Sequence, residues 1–265
     1  MKRGSSGGHT RRQSGCDDDM GMTCKDKVAV VAGAAGSGMG RSTALTLARE
    51  GAKVVVNYRT SERSAKAIVD HIENGGGGAL AIQADVFEAS GCEKLVDAAV
   101  ERFGQVDICV VGPGGGWHPE PIEGLASTAA IEDVRQEIAP LFYLMPLVLP
   151  GMYERKWGRF IGLAMHPREA SPAYAYNVGK ATRLHALLLA QKQAWRQGVT
   201  VNVIAPGPVA AVESLKEAIE LCDHGATWQQ RTDVTPQDIA EGIAFLCSEG
   251  GRFISGCVLP YLFQV

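Results

Sequence analysis

Tyr176 and Lys180 stand four residues apart in AYAYNVGK, inside a stretch that reads as helix. About one helical turn separates such residues, so a phenol and an ammonium project into the same small space. An opposite charge within a few ångströms moves a pKa by about 1–3 units, which would bring a phenol from about 10 toward the range of a general acid/base. The same spacing arises by chance on ordinary helices, so the surroundings decide between catalyst and coincidence.

A second pattern with chemical content is GAAGSGMGR, residues 33–41, which follows an apolar strand and opens a helix. Backbone N–H groups at a helix start carry partial positive charge, and missing side chains let a pyrophosphate approach them. The bland alternative is a tight turn without a ligand. At the end of the next strand the residues are Asn57, Tyr58 and Arg59, with no carboxylate to accept a ribose 2′-hydroxyl. Arg59 is a planar, charge-assisted donor for a 2′-phosphate, which favours NADP(H) over NAD(H). A solvated loop arginine is the competing reading.

The elements that must position these residues alternate along the chain. Apolar strands are expected at KVAVVAG, AKVVVNY, ALAIQAD, VDICVVG, GRFIGLAM, VTVNVIAPG and CVLPYLF. Between them run helices at STALTLAREG with Gly51 as its stop, at 61–74 and at 88–102. Ser171 and Pro172 suit the cap and first turn of the helix carrying Tyr176, Gly198 its end, and Thr235 with Pro236 the start of TPQDIAEGIAFLCSEG. Pro140, Pro146 and Pro150 interrupt the run 129–152, which predicts a kinked helix. Continuous apolar strands alternating with helices imply an α/β fold: a single doubly wound Rossmann-type domain with a seven-stranded parallel sheet, over residues 25–265. Residues 1–24 lack apolar periodicity and read as a disordered tail, with Met20 or Met22 as an alternative initiator. A chain of 265 residues that is 46% hydrophobic suffices for one large core. A net charge of −3 supplies no basic field for nucleic acid, and no run approaches the roughly 18 apolar residues of a membrane helix. The seven cysteines are scattered without the close pairs of a zinc site or a disulfide framework, so no metal is expected and the reducing cytoplasm fits best.

From about Lys25 onward the chain resembles the classical short-chain dehydrogenases/reductases. The resemblance rests on the glycine loop, on Ala84-Asp85-Val86, on VDICVV, on Tyr176 with Lys180, and on IAPGPV at 204–209. It implies a cofactor held by Gly33, Gly38, Met39 and Gly40 in the loop, Arg59, Asp85 and Val86 around the adenosine, Gly112, Lys180 on the nicotinamide ribose, and Pro206, Gly207 and Val209 beside the nicotinamide. It also implies that Tyr176 exchanges a proton with a small-molecule substrate, that residues 210–232 form a variable lid, and that the chain is a homo-oligomer, tetramer or dimer, built on the helices of the fourth and fifth crossovers.

Several positions depart from the family pattern. Four residues rather than three separate Gly33 from Gly38, and Val111-Gly112-Pro113-Gly114 stands in place of Asn-Asn-Ala-Gly. Ala164, Met165 and His166 occupy the place of the catalytic serine, Glu137 that of the tetrad asparagine, and Tyr261-Leu262-Phe263 that of a closing Asp-Gly-Gly. Losing an oxyanion-hole donor costs on the order of 10²–10³ in rate, and His166 or His118 is the candidate substitute, with Trp117 as an apolar wall. Glu137 could pair with Lys180, act as a general base, or turn to solvent where Pro140 redirects the chain. Three readings follow: an NADP(H)-dependent oxidoreductase using Tyr176 and Lys180; a non-redox lyase, dehydratase or isomerase using Tyr176, Glu137 and His166; and a catalytically silent nucleotide binder.

Overall fold

The computed structural model describes residues 23–165, 173–225 and 233–261. Strands β1 (Val28–Ala32), β2 (Lys53–Tyr58), β3 (Ala79–Gln83), β4 (Ile108–Val111), β5 (Gly158–Leu163), β6 (Val199–Pro206) and β7 (Val258–Tyr261) form one sheet in the order β3-β2-β1-β4-β5-β6-β7. Every neighbouring pair is parallel. Parallel neighbours need long crossovers, and the helices lie in them: α1 (Met39–Arg49), α2 (Glu62–Asn74), α3 (Ala89–Phe103), α4 (Ser127–Glu154), α5 (Tyr174–Ala194), α6 (Leu215–His224) and α7 (Pro236–Cys247).

The strands read as unbroken apolar runs because both faces of the sheet are covered. In β1, Ala29 and Val31 pack into the core beneath α1, α2, α6 and α7, while Val30 and Ala32 face the core beneath α3, α4 and α5. The expected doubly wound, seven-stranded sheet is thus the observed one. The strand order reverses between β1 and β4, and ligands of such sheets bind beyond the carboxyl ends at that point. Gly33 follows β1 there, and Gly112 follows β4.

The element ends differ from expectation in instructive ways. Helix α1 begins at Met39, inside the glycine cluster, with Gly38 as its N-cap. Helix α4 runs through Pro140, Pro146 and Pro150 from Ser127 to Glu154, beyond both ends of the expected run 129–152. The cap expected at Ser171 and Pro172 lies outside the described residues; α5 starts at Tyr174 after Ala173, and a 3-10 turn carries it on to Gly198 at φ 79°. Thr235 forms the expected start of α7 through a capping box with Asp238. The tail boundary at residue 24 shifts, because Cys24 is 1% exposed and its N–H donates to the Glu50 carbonyl at 2.8 Å, while the Thr23 hydroxyl donates to the Glu50 carboxylate. The packed domain therefore includes Thr23. Among the described residues no helix is long and apolar enough to cross a membrane.

Candidate active site

Helix α5 places Tyr176, Lys180 and Arg183 on one face, because steps of four and three residues return to the same side. Helix α4 brings Glu137 against them. Its carboxylate lies 3.0 Å from Lys180 Nζ and 3.3 Å from an Arg183 guanidinium nitrogen. Glu137 is 1% exposed, Lys180 9% and Arg183 0%, so these charges meet away from water. Two glycines leave the room. A Cβ on Gly179 would sit 2.7 Å from Glu137 Cγ, and one on Gly114 would collide with its carboxylate oxygens. Gly115 N–H donates to Glu137 Oε1 at 3.1 Å. The carboxylate therefore points inward and does not turn to solvent.

This arrangement changes the electrostatics expected of a Tyr–Lys pair. The Tyr176 phenol is pushed above its usual range, first by burial and then by the nearby Glu137 carboxylate, with Arg183 opposing. Lys180 falls to about 8, chiefly through burial and then Arg183, with Glu137 opposing. The simple expectation of a phenol lowered by its ammonium does not hold, because burial, and after it the Glu137 carboxylate, favours the neutral phenol. Lys180 Nζ lies 5.2 Å from the Tyr176 ring centroid, and Trp117 meets the same ring edge-on at 5.4 Å.

The crevice at the switch point holds two cavities. One, of about 250 Å³, is lined by Gly33, Gly36, Arg59, Asp85, Val86 and Pro113 among others. The second, of about 200 Å³, takes in Gly33, Gly38, Met39, Gly40, Gly112 and Pro113. Asn57 organises their shared wall: its side-chain oxygen accepts the Gly33 N–H at 2.9 Å and its amide donates to the Ala84 carbonyl at 3.0 Å. Gly33 adopts φ 71°, and a side chain there would strike Pro113. Positions 36 and 38 are open, with nothing within 4 Å of an added Cβ. The loop thus leaves these glycines accessible, and the residues lining the two cavities fit a dinucleotide.

Other expected site residues lie elsewhere. Pro206, Gly207 and Val209 sit at the end of β6 and line neither cavity; the Gly207 N–H donates to the Tyr261 carbonyl, and Val209 bridges to Val234. His118 pairs with Asp133 at 3.0 Å on the exposed rim. His166, Leu262 and Phe263 lie outside the described residues, as does the 226–232 part of the lid. Sequence reasoning missed Arg183, Pro113, Asn57 and the hydroxyls of Thr60 and Ser61, which line the Arg59 cavity. The signal for Arg183 was its position three residues beyond Lys180, on the Tyr176 face.

A family model described as Enoyl-(Acyl carrier protein) reductase matches residues 33–261. An uncharacterized oxidoreductase of Methylorubrum extorquens is 33% identical over 247 residues, covering 88% of this chain and 95% of the relative. A probable tetrahydroxynaphthalene reductase of Zymoseptoria tritici is 32% identical over 259 residues, covering 88% and 92%. A solved 7 alpha-hydroxysteroid dehydrogenase, complexed with NADH and 7-oxo glycochenodeoxycholic acid, superposes with a TM-score of 0.77 at 27% identity, covering 90% of this chain and 93% of its own. The family match takes in the glycine loop and every strand from β2 to β7, and the chain belongs to the classical short-chain dehydrogenase/reductase family of nicotinamide-dependent oxidoreductases.

Proposed function

We propose that this protein is an NADP(H)-dependent oxidoreductase that acts on the carbonyl or alcohol of a small molecule, with Tyr176 as acid/base. The observation that carries the reading is the place of Pro113. It lines both cavities of the crevice, and its carbonyl accepts from Arg183, which sits in the ion cluster of Lys180 and Glu137. Cofactor crevice and Tyr–Lys helix are therefore parts of one site.

Arg59, with Thr60 and Ser61 beside it at the start of α2, supports a 2′-phosphate as the group held at the outer end. Arg59 is 59% exposed at its side chain, and its loose 3.9 Å pairing with Asp85 leaves it available to a stronger acceptor. Gly33, Gly38, Met39, Gly40 and Gly112 would hold the pyrophosphate and approach the nicotinamide, with Lys180 toward the ribose; Pro206, Gly207 and Val209 rest on the family resemblance. The bound nicotinamide supplies or takes the hydride. Tyr176, raised by burial and Glu137, is a neutral phenol through the physiological range and so is set to donate its proton to a carbonyl oxygen. Its rate contribution in reduction is level through neutrality and declines as pH rises through the phenol pKa. Glu137 serves this chemistry by fixing Lys180, both of its oxygens being engaged. Trp117 gives the substrate an apolar wall. The non-redox and silent readings gain no support from the relatives.

The assembly proposed is a homo-oligomer. Helices α4 and α5 border an apolar groove of about 770 Å³ with Phe142, Met145, Leu149 and Leu189 along it, and this surface supports a second copy presenting the same helices as its partner.

The test is a fluorescence titration of purified protein with NADPH and, separately, NADH. NADPH should bind the more tightly, and Arg59→Glu should weaken it about 10–100-fold, as expected for lost charge-assisted bonds of about 1.5–3 kcal/mol. Equal affinities unaffected by Arg59→Glu would end the NADP(H) assignment; binding of neither nucleotide would end the redox reading.

A further inference from the structure

Arg183 is the largest fully buried side chain among the described residues. Taking a guanidinium out of water costs several kcal/mol unless partners compensate. Its partners are specific. One terminal nitrogen donates to the Val111 carbonyl at 2.6 Å. The other donates to the Pro113 carbonyl at 2.6 Å and, at 3.3 Å, to the Glu137 carbonyl and carboxylate. Glu137 in turn holds Lys180 and the Gly115 N–H.

We propose that Arg183 is a positioning residue, tying the loop between β4 and α4 to the Glu137–Lys180 pair so that cofactor wall and catalytic helix move as one unit. Two consequences follow from the geometry. Backbone groups of Val111, Pro113 and Gly115 are all fixed by side chains of the cluster, so the wall formed by Pro113 keeps its place. The charges facing Lys180 are Glu137 from α4 and Arg183 from its own helix, with the phenol of Tyr176; the loop contributes only backbone groups, and the Asp133–His118 pair stands on the rim. Arg183 and Glu137 therefore act on the proton affinity of Lys180 with opposite sign, Arg183 lowering it and Glu137 raising it.

The inference rests on the oxidoreductase reading for the reaction it serves, and its test is read without turnover. The Lys180 ammonium is followed by NMR on protein with labelled lysine side chains, with Lys180→Met giving the assignment, beside NADPH titrations. Glu137→Gln should move the Lys180 midpoint down and Arg183→Met should move it up, each by on the order of one unit. Arg183→Met should also weaken NADPH binding at least tenfold, while Arg183→Lys should keep the midpoint and recover part of the affinity. Should Arg183→Met not fold, Arg183→Lys and the double variant Glu137→Gln/Arg183→Met carry the test, since replacing both partners of a buried pair is often neutral. The double variant should return the midpoint toward that of the parent protein and still bind NADPH weakly. Midpoints of Glu137→Gln and Arg183→Met that stay still or move in the same direction, or parental NADPH affinity in Arg183→Met or the double variant, would overturn the proposal. A parent protein that binds neither nucleotide sinks the redox reading instead, and the midpoints then decide the cluster alone.

Discussion

Tyr176 keeps its proton because burial, and after it the Glu137 carboxylate, raises the phenol pKa. Removing the phenol isolates its part: Tyr176→Phe should lower kcat for carbonyl reduction by about 10²–10⁴ while NADPH affinity holds, as measured by steady-state rates beside a nucleotide titration. A variant that loses affinity and keeps kcat would put the phenol's role in binding. Tyr176, Lys180 and Glu137 could be singled out in the sequence because each occupies a motif position, and the structure brings Glu137 against Lys180. Arg183 was not, since in a sequence an arginine among apolar helix residues reads as a solvent-facing position. The carbonyls of Val111, Pro113 and Glu137 and the Glu137 carboxylate, all distant in the chain, make its burial tolerable.

At the scale of elements, unbroken apolar strands and cap residues made the sheet and α7 readable, whereas helix edges depended on contacts the sequence does not carry. Helix α1 starts early because Gly40 packs against the Gly33 carbonyl, an approach that a side chain would block. Helix α4 passes through three prolines while Leu141, Leu144, Val148 and Met152 are buried along it, tertiary packing outweighing the lost backbone bonds. The closeness of α4 to α5 depends on Gly179. Gly179→Ala should therefore destabilise the protein by about 1–3 kcal/mol, read as a lower denaturant midpoint at unchanged m-value, with the Lys180 contact disturbed as Glu137 is displaced. An unchanged midpoint would mean that the two helices separate at little cost.

For the molecule as a whole, the reversal of strand order between β1 and β4 decides where the crevice lies, and the proposed assembly assigns the apolar face of α4 and α5 to contact between copies. Phe142 is 62% exposed and Leu189 61%, and a charge at either should split the assembly: Phe142→Glu and Leu189→Glu should lower the mass seen by light scattering or sedimentation. A parent protein that is already monomeric would remove this role from the face. The buried ion cluster also limits which single changes the whole sequence can absorb. Losing Glu137 alone leaves two cations, Lys180 and Arg183, buried without the anion they share, a state costing about 3–5 kcal/mol of a total stability of roughly 5–15. Losing Arg183 alone leaves Glu137 still paired with Lys180. The two positions are thus unequal in what they tolerate, the arginine being the less costly first loss and the glutamate the residue that must stay while Lys180 and Arg183 are both present.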